Sequence, residues 1–584
     1  MGKWKEASKK ITACLLAVTV VFSAGCGAES ADSGEYEKKS ALLEEAVLQE
    51  EVKEKIGEAP AGEAGNAVFL SVCDTTKRAD VFTGTGETLE EAWEDADRKA
   101  AEAVQKSGME PVWMKADVVN ASEQMSMQTF AKGLSEYKES FFRFGVAFDE
   151  KFENALLEAE LNGAKILDYE GGTGILQEEL NQYLRKADRP EVEYRLKSCR
   201  PFTCMGWLCD ETDTVLPLSA EGLDYGRRSV TNLDRDYAKQ LILDSSDYLV
   251  DQLKEDGSFV YGYKPRFDNE IEGYNILRHE GTIWALLLRY RIDPQPEVKE
   301  AIEQALAFLE TQVVYKDENT AYLNEATSGE IKLGGCGIAI VTLTEYMDVF
   351  QSDQYTELCT KLGNGILAMM DSETGAYFHV LNSDFTEKEE FRTVYYDGEA
   401  TFALSRLYSV TKDEKWLDAA CKAMDHFIEN DYISYHDHWI SYAVNELTKY
   451  VKDNPAYYEF GLKNAQANFD FMVNIKTSYP TLFELLMAAF DLYTRMEENN
   501  ISVEGFHKDV FFDVMNDRLD KMLNGYFYPE YAMYMKNPAR ISHAFMTRHD
   551  GYRTRIDDTQ HNIGGLYQYW KLYDKLTANG FQPE

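Results

Sequence analysis

The second half of the chain alternates between two kinds of helical pattern. Six segments place apolar residues on one face and polar residues on the other, as in helices with one side in water. Each is followed by a segment that is apolar almost all round and begins with small residues, which predicts a buried helix. The pairs recur at intervals of roughly 45 to 60 residues, which is typical of an array of helical hairpins. The apolar segments are GTIWALLLRY, GIAIVTLTEY, GEATFALSRLY, WISYAVNELTKY, LFELLMAAFDLY and NIGGLYQYWKLY.

Six hairpins with polar outer and apolar inner helices predict a closed ring, an (α/α)6 toroid, which we assign to residues 230–578. This arrangement resembles the six-hairpin superfamily of carbohydrate-active proteins, which includes many glycoside hydrolases, polysaccharide lyases and sugar epimerases. The resemblance is one of architecture, since no motif singles out a member family. It implies that the protein acts on or binds an oligosaccharide or polysaccharide.

Residues 66–219 change their hydrophobic period repeatedly. The segments AVFLSVC, RADVFTG, PVWMKADVV, FFRFGVAF, KILDYE and VEYRLKSC are rich in β-branched and aromatic residues and predict strands. TLEEAWEDADRKAAEAVQKSG predicts a helix that Thr88 and Glu91 cap and Gly108 ends. KFENALLEAELNG and GILQEELNQYLRKA also predict helices. We therefore predict an α+β domain, which contains no histidine and no phosphate-binding loop and offers no candidate catalytic site.

Residues 1–26 have the pattern of an export signal. Four lysines in the first ten residues precede the apolar run ITACLLAVTVVFSA, which is shorter than the ~20 residues of a membrane span. The ending Gly25-Cys26 resembles the bacterial lipobox, although Ser23 stands where that pattern usually has leucine. The resemblance implies lipidation of Cys26 and an anchor on the outer face of the bacterial cytoplasmic membrane.

Residues 27–65 are rich in Glu, Ala, Gly and Ser and nearly lack aromatic residues. Such a composition buries too little apolar surface to offset the entropy of ordering the chain. We therefore predict an acidic disordered tether, with a transient helix near SALLEEAVLQEEV.

Charge and cysteine usage narrow the possible partners. A formal net charge of −41 argues against nucleic acid, whose phosphates need Lys and Arg. Seven of the nine cysteines follow the signal segment and Cys26, and an odd number excludes a complete disulfide framework. Cys199, Cys204 and Cys209 recur every five residues, which fits no common zinc pattern, so ordinary or partly paired cysteines are expected. No metal or organic cofactor is implied.

The N-terminal ends of the six inner helices converge on one mouth in such a ring, where helix dipoles and loops build a cavity. We therefore take the candidate site residues from the start of each inner helix and the connection before it. The candidates for catalysis are Asp397, Glu399, Asp437, His438, Asp558 and His561. The candidates for substrate binding are Arg278, His279, Glu280, Tyr396, His436, Trp439, Arg553 and Asn562.

Paired carboxyl groups in this set point to glycoside hydrolysis, which needs two of them about 5 to 9.5 Å apart. One must stay protonated, through burial or a like-charged neighbour. Asp397 and Asp437 precede successive inner helices, so we expect the acid there and its partner at Asp558 or Glu399. A structural role competes with this interpretation, because aspartate at a helix start commonly caps the helix.

The remaining candidates also allow more than one interpretation. His279 between Arg278 and Glu280 is equally consistent with a buried ion pair. Trp439 and Tyr396 suit core packing as well as stacking on the apolar face of a sugar ring.

Two other functions remain open. His438 and His561 have the chemistry of an acid and base that move a proton next to a carbonyl, as epimerases and lyases do, with Arg278 or Arg553 holding a substrate carboxylate. Alternatively, the protein is a non-catalytic lipoprotein that binds a glycan or a partner in an exopolysaccharide or cell-wall system. The chain lacks the DxDD motif of isoprenoid cyclases, and GGCGIA lacks the Glu-Gln of a thioester. Cys336 has no Cys-His partners of the kind that zinc-dependent lanthionine cyclases use.

Overall fold

The computed structural model describes residues 34–192 and 196–583. The predicted signal segment and Cys26 lie outside the described residues. Six helical hairpins follow a β-rich N-terminal region.

Six inner helices form a closed ring, as predicted. They are Ile276–Ile292, Leu333–Phe350, Tyr395–Thr411, His438–Leu447, Pro480–Glu498 and Ile556–Ala578, here called inner helices 1 to 6. Each inner helix contacts the next, and the sixth contacts the first. The outer helices that cover them are Arg235–Asp251, Pro296–Glu310, Thr356–Ala368, Glu414–Glu429, Pro455–Gln466 and Lys508–Leu523. Short helices Phe469–Asn474, Pro529–Ala532 and Pro538–Ile541 lie in the connections.

Small residues let the inner helices approach closely. A Cβ atom at Gly337 of inner helix 2 would lie 2.9 Å from the backbone of Glu399 on inner helix 3, so only glycine fits there. Inner helix 2 is apolar and long enough to cross a membrane, but 83% of that stretch is buried inside the ring. Its apolar surface therefore belongs to the protein core.

The N-terminal region contains an antiparallel sheet. Its strands are β1 Asn66–Cys73, β2 Asp80–Gly86, β3 Trp113–Ser122, β4 Met125–Ser126, β5 Gly145–Ala147, β6 Ala155–Leu156, β7 Ser198–Cys209 and β8 Val215–Leu218. The spatial order is β2-β1-β3-β7-β5-β6, and β4 and β8 also pair with β7. The other short strands lie in the helical domain: Gly262–Lys264, Asn269–Glu270, Val313–Tyr315, Ala321–Leu323, Ile331–Lys332, Val380–Leu381, Glu387–Glu389 and Thr554–Arg555.

Helices in this region follow the sequence pattern in part. Helix Leu89–Ser107 packs on β1 and β2 and has the predicted caps: Thr88 accepts the amide of Glu91, and Gly108 adopts φ +66°. Helices Met127–Leu134, Glu158–Gly163 and Gln177–Lys186 are shorter. KILDYE forms no strand beyond one isolated bridge at Leu167, because its segment lies in a connection between helices.

The described part of the predicted tether is helical, and its helices overlap the segment SALLEEAVLQEEV, where a transient helix is expected. Residues 34–47 and 50–55 form helices Gly34–Val47 and Glu50–Lys55. Tyr36, Leu43 and Val47 make a buried stripe that packs on the sheet, and the buried Lys39 lies 2.7 Å from Asp213. The sparse apolar residues of this segment fall on one helical face, so they stabilise a docked helix that average composition does not predict.

The cysteines form no disulfide in the described residues. Cys199, Cys204 and Cys209 lie along the single strand β7. Five residues of strand span about 16 Å, which is too far for one metal ion to bridge.

The connection before inner helix 6, residues 524–555, joins the two domains. The amide of Ala79 donates to the carbonyl of Met533 at 2.8 Å, and Arg228 makes a bidentate ion pair with Glu530. The guanidinium of Arg548 lies 4.4 Å above the ring of Tyr531. The N-terminal domain therefore holds this connection, which forms one wall of a cavity at the N-terminal ends of the inner helices.

Candidate active site

Side chains at the N-terminal ends of the inner helices enclose a cavity of about 440 Å³. All six inner helices or the residues just before them contribute, together with Thr547, His549 and Arg553 of the connection before inner helix 6. This volume falls within the range of about 300–1,000 Å³ that is typical of small-molecule sites.

Eight of the fourteen candidate residues line this cavity. They are Arg278, Tyr396, Glu399, His438, Trp439, Arg553, Asp558 and His561. The convergence of the inner-helix starts therefore brings together His438 and His561 with arginines, carboxyl groups and aromatic rings in one cavity.

A cluster of two histidines and one carboxylate joins inner helices 4, 5 and 6. The Nδ1 atom of His561 lies 2.7 Å from Oε2 of Glu484, and Nε2 of His438 lies 3.8 Å from the same oxygen. The two imidazole rings are 5.3 Å apart between centroids. Tyr442 donates its hydroxyl to Oε1 of Glu484 at 3.1 Å, which orients the carboxylate. A Cβ atom at Gly564 would lie 2.4 Å from that oxygen, so the glycine makes room for it.

The surroundings push the pKa values of the two histidines apart. Burial lowers the pKa of His438 to about 3. Burial also acts to lower the pKa of His561, but Glu484, Asp557 and Asp558 outweigh it and raise that pKa above its usual value. His438 is therefore unprotonated at neutral pH, whereas the acidic neighbours of His561 favour its protonated form, and these opposite shifts have the directions expected of a base and an acid.

Three arginines and two aspartates form the charged side of the cavity. Arg278 Nε lies 2.7 Å from Asp557, and the Arg555 guanidinium lies 2.9 Å from the same carboxylate. Asp558 accepts the backbone amide of Arg555 at 3.0 Å, and Arg553 is 3.5 Å away. The five side chains leave one net positive charge beside the cavity, which suits an oxygen that carries or develops negative charge.

Exposed aromatic rings form the other side of the mouth. Tyr395 and Tyr479, which are 44% and 45% exposed, line the cavity together with Trp439. Phe391 and Tyr435 are also exposed and lie 6.3 Å apart just ahead of inner helices 3 and 4. Exposed aromatic rings beside charged hydrogen-bonding groups suit a small ligand with both hydroxyl groups and apolar ring faces.

Asp397 and Asp437 meet partners outside the cavity, although one of them is expected to be its acid. Asp397 lies 2.8 Å from Nε2 of His379, whose Nδ1 accepts the amide of Arg392, so Nε2 carries the proton. Asp437 caps inner helix 4 by accepting the amides of Trp439 and Ile440. Both carboxyl groups are buried, and neither lines the cavity.

Four binding candidates also lie outside the cavity lining. His279 bridges the hydroxyl of Tyr274 and the carbonyl of Ala305, so it ties inner helix 1 to the outer helix Pro296–Glu310, and the described residues supply it with no ion pair. His436 precedes the cap of inner helix 4 with φ +54°. Glu280 is fully buried, and Asn562 donates to the carbonyl of Asp558 within inner helix 6.

Glu399 is the carboxyl candidate that reaches the cavity from inner helix 3. Burial raises its pKa well above the usual value, with Asp437 and Asp397 adding to the effect. Its Oε2 atom has no hydrogen-bond partner. Gly334 accommodates it, because a Cβ atom there would lie 1.9 Å from that oxygen.

Four features are not predicted from the sequence: Glu484, Tyr442, His379, and the ion pairs of Asp557 with Arg278 and Arg555. Glu484 lies inside the apolar segment LFELLMAAFDLY, where a fully buried charged residue is exceptional unless it is paired. That anomaly was the available signal. His379 lies in the loop that precedes inner helix 3, where no local pattern links it to Asp397, so only the fold identifies its partner.

No protein-family model matches the chain, and no curated protein matches it in sequence. Several solved structures are similar over the helical ring. A sugar epimerase from a ruminal bacterium shares 12% identity at a TM-score of 0.46, with 58% of this chain and 98% of that chain covered. The cellobiose 2-epimerase of Bacillus thermoamylovorans gives 13% identity, 57% and 99% coverage, and the same TM-score. The α-mannanase of Bacteroides thetaiotaomicron gives 11% identity, 59% and 97% coverage, and 0.42.

Proposed function

We propose that the protein is a sugar epimerase or isomerase that moves a proton next to the carbonyl group of a sugar. One observation carries the proposal: His438 and His561 meet beside one carboxylate, Glu484, with pKa values shifted in opposite directions. The cavity volume, the exposed aromatic rings and the charged side support a sugar as the ligand.

The reaction requires no change of oxidation state. The unprotonated nitrogen of His438 takes the proton from the carbon next to the carbonyl, and the electron pair left behind forms an enediolate. The positive charge of Arg278 and Arg555 stabilises the enediolate oxygen. His561 gives its proton to the same carbon from the other face, which yields the epimer. The isomer forms instead when the proton of the adjacent hydroxyl group moves to the former carbonyl oxygen and His561 protonates the former carbonyl carbon. Proton exchange with water then resets both imidazoles.

The test is to incubate the protein with reducing mono- and oligosaccharides in D₂O and follow them by NMR. Proton transfer through enzyme groups that exchange with solvent predicts an epimer or isomer with deuterium at the carbon that exchanges. Cleavage without deuterium would favour hydrolysis instead. Saturable binding with neither reaction would favour a glycan-binding protein.

Hydrolysis is the second candidate, and Glu399 favours it. A buried carboxyl group with a raised pKa in the cavity is what a general acid for glycoside cleavage requires. Asp558 would then be its partner across the mouth. Glu399 then takes the place of Asp397 or Asp437 as the acid, because neither aspartate lines the cavity, and Asp558 keeps the partner role expected of it.

The turnover number should fall as pH rises through the elevated pKa of His561, because the deprotonated imidazole has no proton to give. His438 stays unprotonated down to about pH 3, so no loss on the acid side arises from this base until then. Glu484, Asp557 and Asp558 face His561 and set its pKa. A kcat profile measured between pH 5 and 10 tests this. A profile that rises across this range would contradict the assignment of His561 as the acid.

We further propose that the protein is exported and held on the outer face of the cytoplasmic membrane by a lipid on Cys26. The small residues before Cys26 and the short apolar run support this. In a Cys26→Ala variant expressed in a bacterium, the protein should leave the membrane fraction after carbonate washing, while the wild type stays. Equal membrane association of both would contradict the anchor.

A further inference from the structure

A second cavity of about 310 Å³ lies at the opposite end of the ring axis. All six inner helices or their immediate ends line it, here with residues from their middle and C-terminal parts. It has no part in the chemistry proposed above, and its lining includes no residue of the first cavity.

Aromatic rings form the floor of this second cavity. Tyr442 stacks on Phe402 at 5.7 Å, and Trp284 meets Tyr442 edge-on at 5.7 Å. Trp439 packs behind them, 5.9 Å from Trp284, and its other side lines the first cavity. Packed aromatic rings therefore lie between the two cavities.

Charged residues form the wall of the second cavity in equal numbers. The acids are Glu345, Asp348, Glu446 and Asp491, and the bases are Arg291, Arg406, Lys449 and Lys571. Ion pairs hold the arginines to Glu345, and Lys449 to Glu446. Asp491 accepts from Asn445 at 2.9 Å. Among the bases of this wall, Lys571 is the one for which the described residues supply no ion pair or hydrogen bond.

Tyr442 connects this floor to the catalytic cluster. Its ring lies in the second cavity, while its hydroxyl donates to Oε1 of Glu484, the carboxylate that pairs with His561. A ligand that contacts the ring and shifts it therefore also shifts the hydroxyl whose hydrogen bond orients Glu484.

We propose that the second cavity binds a small organic anion with a flat apolar ring and that its occupation alters the catalytic cluster through Tyr442. The anionic group pairs with Lys571, the ring lies on the aromatic floor, and the amides of Asn445 and Gln568 offer further hydrogen bonds. The binding part stands without the proposed function, whereas the effect on the cluster is a regulation of that function.

Benzoate is the probe for binding, measured by isothermal titration to the full chain. We expect saturable binding to the wild type and affinity at least about tenfold weaker in Lys571→Met, because a charge-assisted contact is lost. The control is Lys575→Met, one turn further on the same helix, where the lysine pairs with Glu498 at the surface. Equal affinity of wild type and Lys571→Met, or no saturable binding by the wild type at millimolar benzoate, would overturn the site.

The coupling has its own readout, which does not need turnover. On adding benzoate, the ring protons of His561 should shift in the NMR spectrum of the wild type. In Tyr442→Phe the floor keeps its ring but loses the hydroxyl, so benzoate should still bind while the His561 shift becomes much smaller. Saturable binding to the wild type without a His561 shift, or an undiminished shift in Tyr442→Phe, would overturn the coupling. Neither the titration nor the NMR measurement depends on turnover, so both test the second cavity and its coupling to His561 even if the protein is not an epimerase.

Discussion

Replacing His561 with glutamine is expected to lower the rate of the proposed sugar epimerisation by about 10³-fold. In that proposed reaction the side chain supplies the proton that completes the turnover, and a positioned general acid or base typically contributes about 10²–10⁴-fold. Glutamine keeps the size and a hydrogen bond to Glu484 but has no transferable proton. His438→Gln should lose a similar factor, because no base then removes the proton. The measurement is kcat in D₂O, with deuterium content followed by NMR.

A surface histidine provides the control for this pair. His507→Gln removes an exposed imidazole at the start of the last outer helix and should leave the rate unchanged. Circular dichroism spectra and urea midpoints of the variants establish that the ring is folded. A folded His561→Gln or His438→Gln variant that keeps more than about a tenth of the wild-type rate would refute the acid–base assignment.

Replacing Asp397 with alanine is expected to lower the free energy of unfolding by about 3 kcal/mol, because it removes one partner of a buried pair and leaves the other unsatisfied. Asp397 and His379 are both almost fully buried, 2.8 Å apart. His379 also accepts the amides of Arg392 and Thr393, so the pair holds the segment that leads into inner helix 3. Urea unfolding measures the loss.

Asp353→Ala is the matched control for this second substitution. Asp353 is exposed in the connection after inner helix 2, and a surface change there should cost within about 0.5 kcal/mol. A stable Asp397→Ala protein that has lost all turnover would contradict the structural role. It would return Asp397 to the catalytic role that its position before an inner helix first suggested.

The candidate site illustrates how far sequence reasoning reaches. Each residue just before or at the start of an inner helix was expected at the mouth, and His438, Asp558 and His561 do line the cavity. Asp397 and Asp437 are equally close to helix starts, but their side chains turn away from the axis. A displacement of one position along a helix rotates a side chain by about 100°, so position along the chain does not settle which way it faces.

Domain organisation shows a similar division. The capping signals of Thr88, Glu91 and Gly108 are local, and the structure confirms them. The sequence predicts a tether at helix Gly34–Val47, because the segment has few apolar residues and these form only a narrow stripe. Its order depends on a sheet whose paired strands β3 and β7 lie about 80 to 95 residues apart along the chain, and on the long-range pair of Lys39 with Asp213.

The sequence by itself determined the number and pairing of the ring helices, because the period of apolar residues and the placement of small residues are properties of neighbouring positions. It also determined that acids, imidazoles and aromatic rings are concentrated where those helices begin. Only the tertiary structure decided which of them share a cavity and which oxygen pairs with His561. Side-chain direction and the resulting pKa shifts depend on packing between helices that lie tens to hundreds of residues apart along the chain.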